Sequence, residues 1–215
     1  MRLLDALAAG NSSTRLEAAL AIGTHPEPGF VDALVGRCAI EPDFFVRDML
    51  TWALTRLPSE ITVPKLRAEL RSERAQARSQ ALHTLSKIGD RDTWPAITRS
   101  LLHDADDEVA RSAWRAAVVL VPDEEKQALA AELATQFGRG DREVRLSLSR
   151  ALVALGDAVE PVLRKAMACH DPTVRAHASA TERLLRDPDA GFDLAVGEAR
   201  RVVALGPERE ETTAC

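Results

Sequence analysis

The sequence predicts an all-α protein, an α-solenoid of about six helical hairpins followed by a C-terminal helix. Three observations predict it. A motif ending in arginine recurs: Arg15 in NSSTR, Arg47 in DFFVR, Arg78 in RAQAR, Arg145 in DREVR and Arg175 in DPTVR, with Ala110 in the same slot of DDEVA. The successive steps are 32, 31, 32, 35 and 30 residues. Prolines run in register with it: Pro64, Pro95 and Pro161 each follow a breaker (Pro58, Gly89, Gly156) by five or six residues. Finally, apolar residues make up 46% of the chain, aromatics 4%, and tyrosine is absent. The core must then be alanine, leucine and valine, which suits close helix packing better than a β-sandwich.

Each repeat reads as helix A, a short turn, helix B and a second turn. Proline suits a first helical turn and glycine ends a helix, so the proline marker predicts the start of helix A. The A helices are expected near 2–9, 29–40, 62–71, 93–103, 123–137 and 158–168. The B helices are expected near 12–22, 44–57, 74–88, 107–121, 142–155 and 172–186. Each B helix carries an apolar stripe at helical spacing, such as Val144, Leu148, Ala151, Leu152 and Leu155. One hairpin cannot bury both its faces, whereas a stack of hairpins can. Asp43, Asp141 and Asp171 precede B helices and are expected to cap them, each carboxylate accepting from free backbone N–H groups. Arg47, Arg78, Arg145 and Arg175 are expected to reach a turn acid or a carbonyl of a neighbouring repeat, as a structural ladder. The ladder should be interrupted at Ala110. A last helix is expected over 190–205, so that 1–205 forms a single stack, with 206–215 a polar, disordered tail.

The register of proline in helix A and Asp-x-x-Val-Arg in helix B resembles the HEAT-repeat family, in its short bacterial form, the HEAT-like or phycobilisome-lyase-like repeats. The resemblance covers almost the whole chain and implies the fold more than the function. Family members include scaffolds, adaptors, lyases and DNA-repair proteins. The resemblance also implies that the B helices line a concave, binding side. The residue six after the valine slot should face that side: Leu20, Trp52, His83, Arg115, Arg150 and Ala180 in turn. The residue three after gives Glu17, Met49, Gln80, Ser112, Ser147 and His177. Met49, Trp52, His83, Arg111, Arg115 and Arg150 thus make a candidate partner-binding strip, cationic with an aromatic end.

Function classes narrow by exclusion. Nucleotide-binding, nucleophile-elbow and zinc-protease motifs are absent, so no catalytic residue is assigned. The five histidines form no metal-ligand pattern, and the His-Glu dipeptides with which the HEAT-type hydroxylases bind iron are missing. No metal and no cofactor is expected. A chain without tyrosine and with three tryptophans offers little to cradle a tetrapyrrole, as a lyase would need. Cys38, Cys169 and Cys215 are an odd set without Cys-x-x-Cys, which predicts a reducing, cytoplasmic setting. No apolar run approaches the length of about 18 residues that spans a membrane. The expectation is a non-enzymatic scaffold, a monomer or weak dimer, whose partner is an acidic or extended protein. The alternative is nucleic-acid binding of the DNA-alkylation-repair type through Trp52, Asp48, Arg115 and Arg150. A net charge of −5 and a pI near 5.6 disfavour it.

Overall fold

A computed structural model describes residues 3–187. The helix expected over 190–205 and the tail 206–215 lie outside the described residues. Those described are helical with no strand, and they form a series of helical hairpins. The chain divides into two compact units, Met1–Pro122 and Asp123–Cys215. The boundary follows a helix stopped by Val121-Pro122, ahead of the acidic 3-10 turn Asp123–Glu125.

The first unit begins with α1 (Leu3–Leu7) and α2 (Ser12–Thr24), then α3 (Val31–Cys38) and α4 (Phe44–Thr55). It continues with α5 (Ser59–Glu69), α6 (Ala75–Ile88), the short α7 (Arg99–Leu102) and α8 (Asp107–Leu120). The B helices α2, α4, α6 and α8 pack in sequence, each on the next. Their shared core is Ile22, Leu50, Leu54, Leu82, Leu85, Trp114 and Leu120, all essentially inaccessible. Burying such a side chain is worth about 1.5–3 kcal/mol, so this row is the main cohesive term between repeats. Trp114 is fully buried, and its indole N–H donates to the Leu102 carbonyl at 2.9 Å. The second unit has α9 (Lys126–Ala134), α10 (Arg142–Val153), α11 (Glu160–Met167) and α12 (Pro172–Arg186). Its core includes Leu133, Leu148, Leu152, Val159 and Leu163.

Of the proline-marked A helices two are shorter than expected and one starts earlier, and the proline has a different role in each. Pro161 does stand in the first turn of α11. Pro64 instead lies in the middle of α5, which starts five residues earlier at Ser59. Pro95 lies inside a 3-10 turn, Arg91–Ala96, and the fourth A helix shrinks to the four residues of α7. Proline disfavours α geometry in the residue before it, and here the α-helix starts only at Arg99, after the 3-10 turn that holds Pro95.

Helix B begins the same way in most copies. Asp43 accepts from the N–H groups of Phe45 and Val46, and Asp106 from those of Glu108 and Val109. Asp141 accepts from Val144 N–H, and Asp171 from those of Thr173 and Val174. The slot arginine then folds back on the turn that precedes its own helix. Arg15, Arg47, Arg78 and Arg175 each send Nη1 to the carbonyls six and five residues earlier, at 2.7–3.2 Å. Two of them also cross to the next repeat. Arg15 grips Glu41 with two bonds of 2.7 Å, and Arg78 grips Asp104 with two of 3.0 Å.

Glu41 is completely buried and also receives Arg37 Nε and the Asp43 N–H. Burial would raise its carboxyl, but the hydrogen bonds from Arg15, Asp43 and Arg37 prevail and hold it down at about 2. Arg145 departs from the ladder expected of it. Its Nε is buried without a partner, and it does not make the two-carbonyl clamp of the other four arginines. The turn ahead of it differs from the others in holding Gly138 and Gly140 at φ of 88° and 67°. His177 occupies the gap, accepting from Gly138 N–H through Nδ1 at 3.0 Å and donating Nε2–H to the Arg145 carbonyl at 3.0 Å.

Candidate functional site

Three consecutive B helices of the first unit leave a groove of about 360 Å³ on their outer surface. Helix α4 supplies Phe44, Arg47 and Asp48, α6 supplies Ser79, Gln80 and His83, and α8 supplies Glu108, Arg111, Ser112 and Arg115. The repeat explains the convergence: equal positions of stacked helices share a face, so one groove collects the same register from each.

One wall is aromatic. Phe44 and Phe45 are the first two residues of α4 and stay 65% and 70% exposed. Their rings meet edge-on, with centroids 5.7 Å apart. Arg47 lies 5.9 Å above the Phe44 ring while its Nη1 is fixed by the Glu41 and Pro42 carbonyls. Two large apolar rings in water are costly for a fold that has no use for them.

The opposite wall is cationic. Arg111 sends Nη1 to Glu108 at 2.6 Å, and its Nε is buried without a protein acceptor. Arg115 sends Nη2 to the neutral Ser112 hydroxyl at 3.0 Å. Below them the Ser79 and Ser112 hydroxyls touch at 3.4 Å. His83 is half-buried between the walls, and its pKa is lowered by burial and then by Arg115 and Lys87, against the opposing pull of Asp48. It is therefore neutral at pH 7. Three guanidiniums thus face two carboxylates, leaving one net positive charge in a chain that is acidic as a whole.

The remaining residues of the expected strip lie elsewhere. Met49 and Trp52 are on α4 but outside this groove. Trp52 is about one-third exposed, and its indole lies flat on Gly23 of α2, where any Cβ would come within 2.2 Å of the ring. Arg150 is exposed on α10, in the second unit. Gln80 and Ser112 come from the slot three after the valine, as the register places them, whereas Phe44, Ser79 and Glu108 were not anticipated. The signal for Phe44 was available, since two of the chain's five phenylalanines stand together directly after a capping aspartate.

A larger cleft, about 670 Å³, opens between α5 and the broken fourth A helix, with Pro64 and Pro95 on its two sides. Arg67 and Arg71 line it, both exposed, and it offers no aromatic ring. Among the described residues no cluster of three or more His, Cys, Asp or Glu side chains could hold a metal, and no helix is long and apolar enough to cross a membrane. Burial pushes the Cys38 thiol up to about 12, so it is not a nucleophile at neutral pH.

Comparison with known proteins agrees with this architecture. Residues 41–118, the segment that builds the groove, match the model of a family described as HEAT repeats. No curated protein matches the chain. Among solved structures, the complex of CpcE and CpcF of phycocyanin lyase from Nostoc sp. is similar, at 19% identity and a TM-score of 0.49, over 92% of this chain and 85% of that one.

Proposed function

We propose, from the HEAT-repeat character of residues 41–118, that the chain is a repeat scaffold whose B-helix groove holds an acidic, extended segment of a partner protein. The observation that carries the reading is the groove itself: an exposed aromatic wall facing a net-cationic wall, on a protein of opposite overall charge. Large exposed rings supply affinity, and surrounding charges supply specificity and steering. Met49, Trp52 and Arg150, outside the groove, are not part of this reading. No group in the groove is assigned a catalytic role, and the reading needs no cofactor.

The test is capture of a partner from cell extract by the wild type, by Arg111→Glu/Arg115→Glu and by the matched reversal Arg67→Glu/Arg71→Glu. A partner lost by the first variant and kept by the second supports the groove. A partner kept by both removes it. Titration of a fluorescent DNA duplex between 50 and about 200 mM salt tests the nucleic-acid alternative. Tight binding with a steep salt dependence would replace the present reading.

A further inference from the structure

We infer that the groove over α4, α6 and α8 reads a single carboxylate, received by Arg115 and Arg111, together with an apolar side chain that packs on Phe44. Its occupant is then an extended peptide of about six residues with Asp or Glu towards one end and a large apolar residue towards the other, not a polyanion. The inference rests on the scaffold reading above and specifies its ligand.

The charges lead to one carboxylate. Arg111 and Arg115 stand one turn apart on α8, a spacing at which like charges repel. Glu108 hydrogen-bonds Arg111 through Nη1, whereas Arg115 hydrogen-bonds only a neutral hydroxyl and feels the Glu108 charge less than it feels burial and the Arg111 charge. One further carboxylate would relieve the repulsion and supply charge-assisted acceptors for guanidinium N–H groups that have none from the protein. More negative charge than that is opposed. Asp48 and Glu108 both line the groove, so a phosphate dianion or a nucleic-acid strand would meet two carboxylates for the three guanidiniums it gains.

The apolar requirement follows from Phe44. Its ring is 65% exposed, packed edge-on with Phe45 and with Arg47 5.9 Å above it, so it offers an apolar surface already in part desolvated by its neighbours. Between the walls, the Gln80 side chain can both donate to and accept from a peptide backbone. Helices packed about 9–10 Å apart place α4 and α8 about 20 Å from each other, a distance that about six extended residues cover. A hexapeptide can therefore touch both walls at once.

The experiment uses the full chain and a bead-displayed hexapeptide library whose building blocks include Asp, Glu and phosphoserine. Selected peptides are then resynthesised with fluorescein and titrated by anisotropy against the wild type, Arg115→Gln, Phe44→Ala and, as a control on the other face, Arg67→Gln. Thermal melts confirm that each variant is folded. The expected selection is Asp or Glu towards one end of the hexapeptide and Leu, Ile, Phe or Trp towards the other. Arg115→Gln should weaken binding about ten-fold or more, the usual cost of a lost charge-assisted bond. Phe44→Ala should also weaken it, and Arg67→Gln should leave it within about two-fold. A selection led by phosphoserine, yet dependent on Arg115, overturns the carboxylate inference and leaves the groove as the partner site. Binding that ignores both Arg115 and Phe44, or no selected peptide at all, overturns the inference and the groove reading together.

Discussion

At the scale of single residues, two buried groups fix how stability depends on pH. His177 is neutral, and burial with the nearby Arg145 charge lowers its pKa from 6.5 to about 4, although its bond to the Arg145 carbonyl pulls the other way. The unfolded chain takes up that proton first. The stability His177 contributes is therefore complete above about pH 6.5 and is lost as pH falls toward 4. Glu41 has the other window: its contribution is complete above about 4.5 and is lost as pH falls toward 2. Thermal melts across pH should show both, with His177→Gln flattening the upper limb and Glu41→Gln the lower. A variant melt parallel to wild type across its own window would refute that assignment. The ladder arginines are also unequal. Glu41→Ala strands Arg15 and Arg37 and should cost about 3–5 kcal/mol, as for a broken buried ion pair. Arg145→Ala removes no ion pair and should cost less than about 1 kcal/mol in a denaturant titration, because the ladder bond expected of Arg145 is not made there.

At the scale of elements, helix α2 carries one requirement that its own sequence hides. Gly23 interrupts a helix in which alanine would be preferred, because the Trp52 indole of α4 rests on its backbone. Gly23→Ala should gain helix propensity yet lose about 1–3 kcal/mol through forced movement of the indole, with a red-shifted tryptophan emission. A stabilised variant with unchanged emission would contradict that packing. The same contrast sets how much of the fold was legible. The B helices could be read within two residues because at least two of cap, apolar stripe and arginine coincide in each, α6 lacking the side-chain cap and α8 the arginine. Among the A helices α1, α3 and α11 could be read as closely, whereas α5, α7 and α9 could not; for α5 and α7, Pro64 and Pro95 are tolerated inside a helix and a 3-10 turn by neighbours that sequence spacing does not reveal. The acids that answer Arg15 and Arg78 were also missed. Glu41 and Asp104 each stand two residues ahead of a capping aspartate, in Glu-Pro-Asp and Asp-Ala-Asp, and each accepts that aspartate's N–H. Of the site, periodicity marked His83, Arg111 and Arg115. It gave no sign that Trp52 would lie against Gly23, since register fixes the face of a helix and not what a neighbouring helix lays across it.

At the scale of the whole molecule, the groove and the chain carry opposite charge, and their ranges differ. The groove's single excess positive charge acts at contact. The net charge of −5 acts at distances up to the screening length, about 30 Å at 0.01 M salt and 8 Å at 0.15 M. An acidic partner therefore approaches against repulsion and is attracted only on arrival. Raising salt from 10 to 150 mM should then speed association by about two-fold or more while also speeding dissociation, the reverse of a complex assembled by long-range attraction. Arg115→Glu takes the net charge from −5 to about −7 and removes the local attraction as well. Its association should be slower than wild type at low salt and approach it as salt rises, whereas its faster dissociation should persist at every salt, because the contact itself is gone. Stopped-flow mixing with an acidic fluorescent peptide selected as above separates the two rates. Association that falls steadily with salt in the wild type would mean that the groove's field outweighs the net charge of the chain, and with it the division of roles between contact and approach.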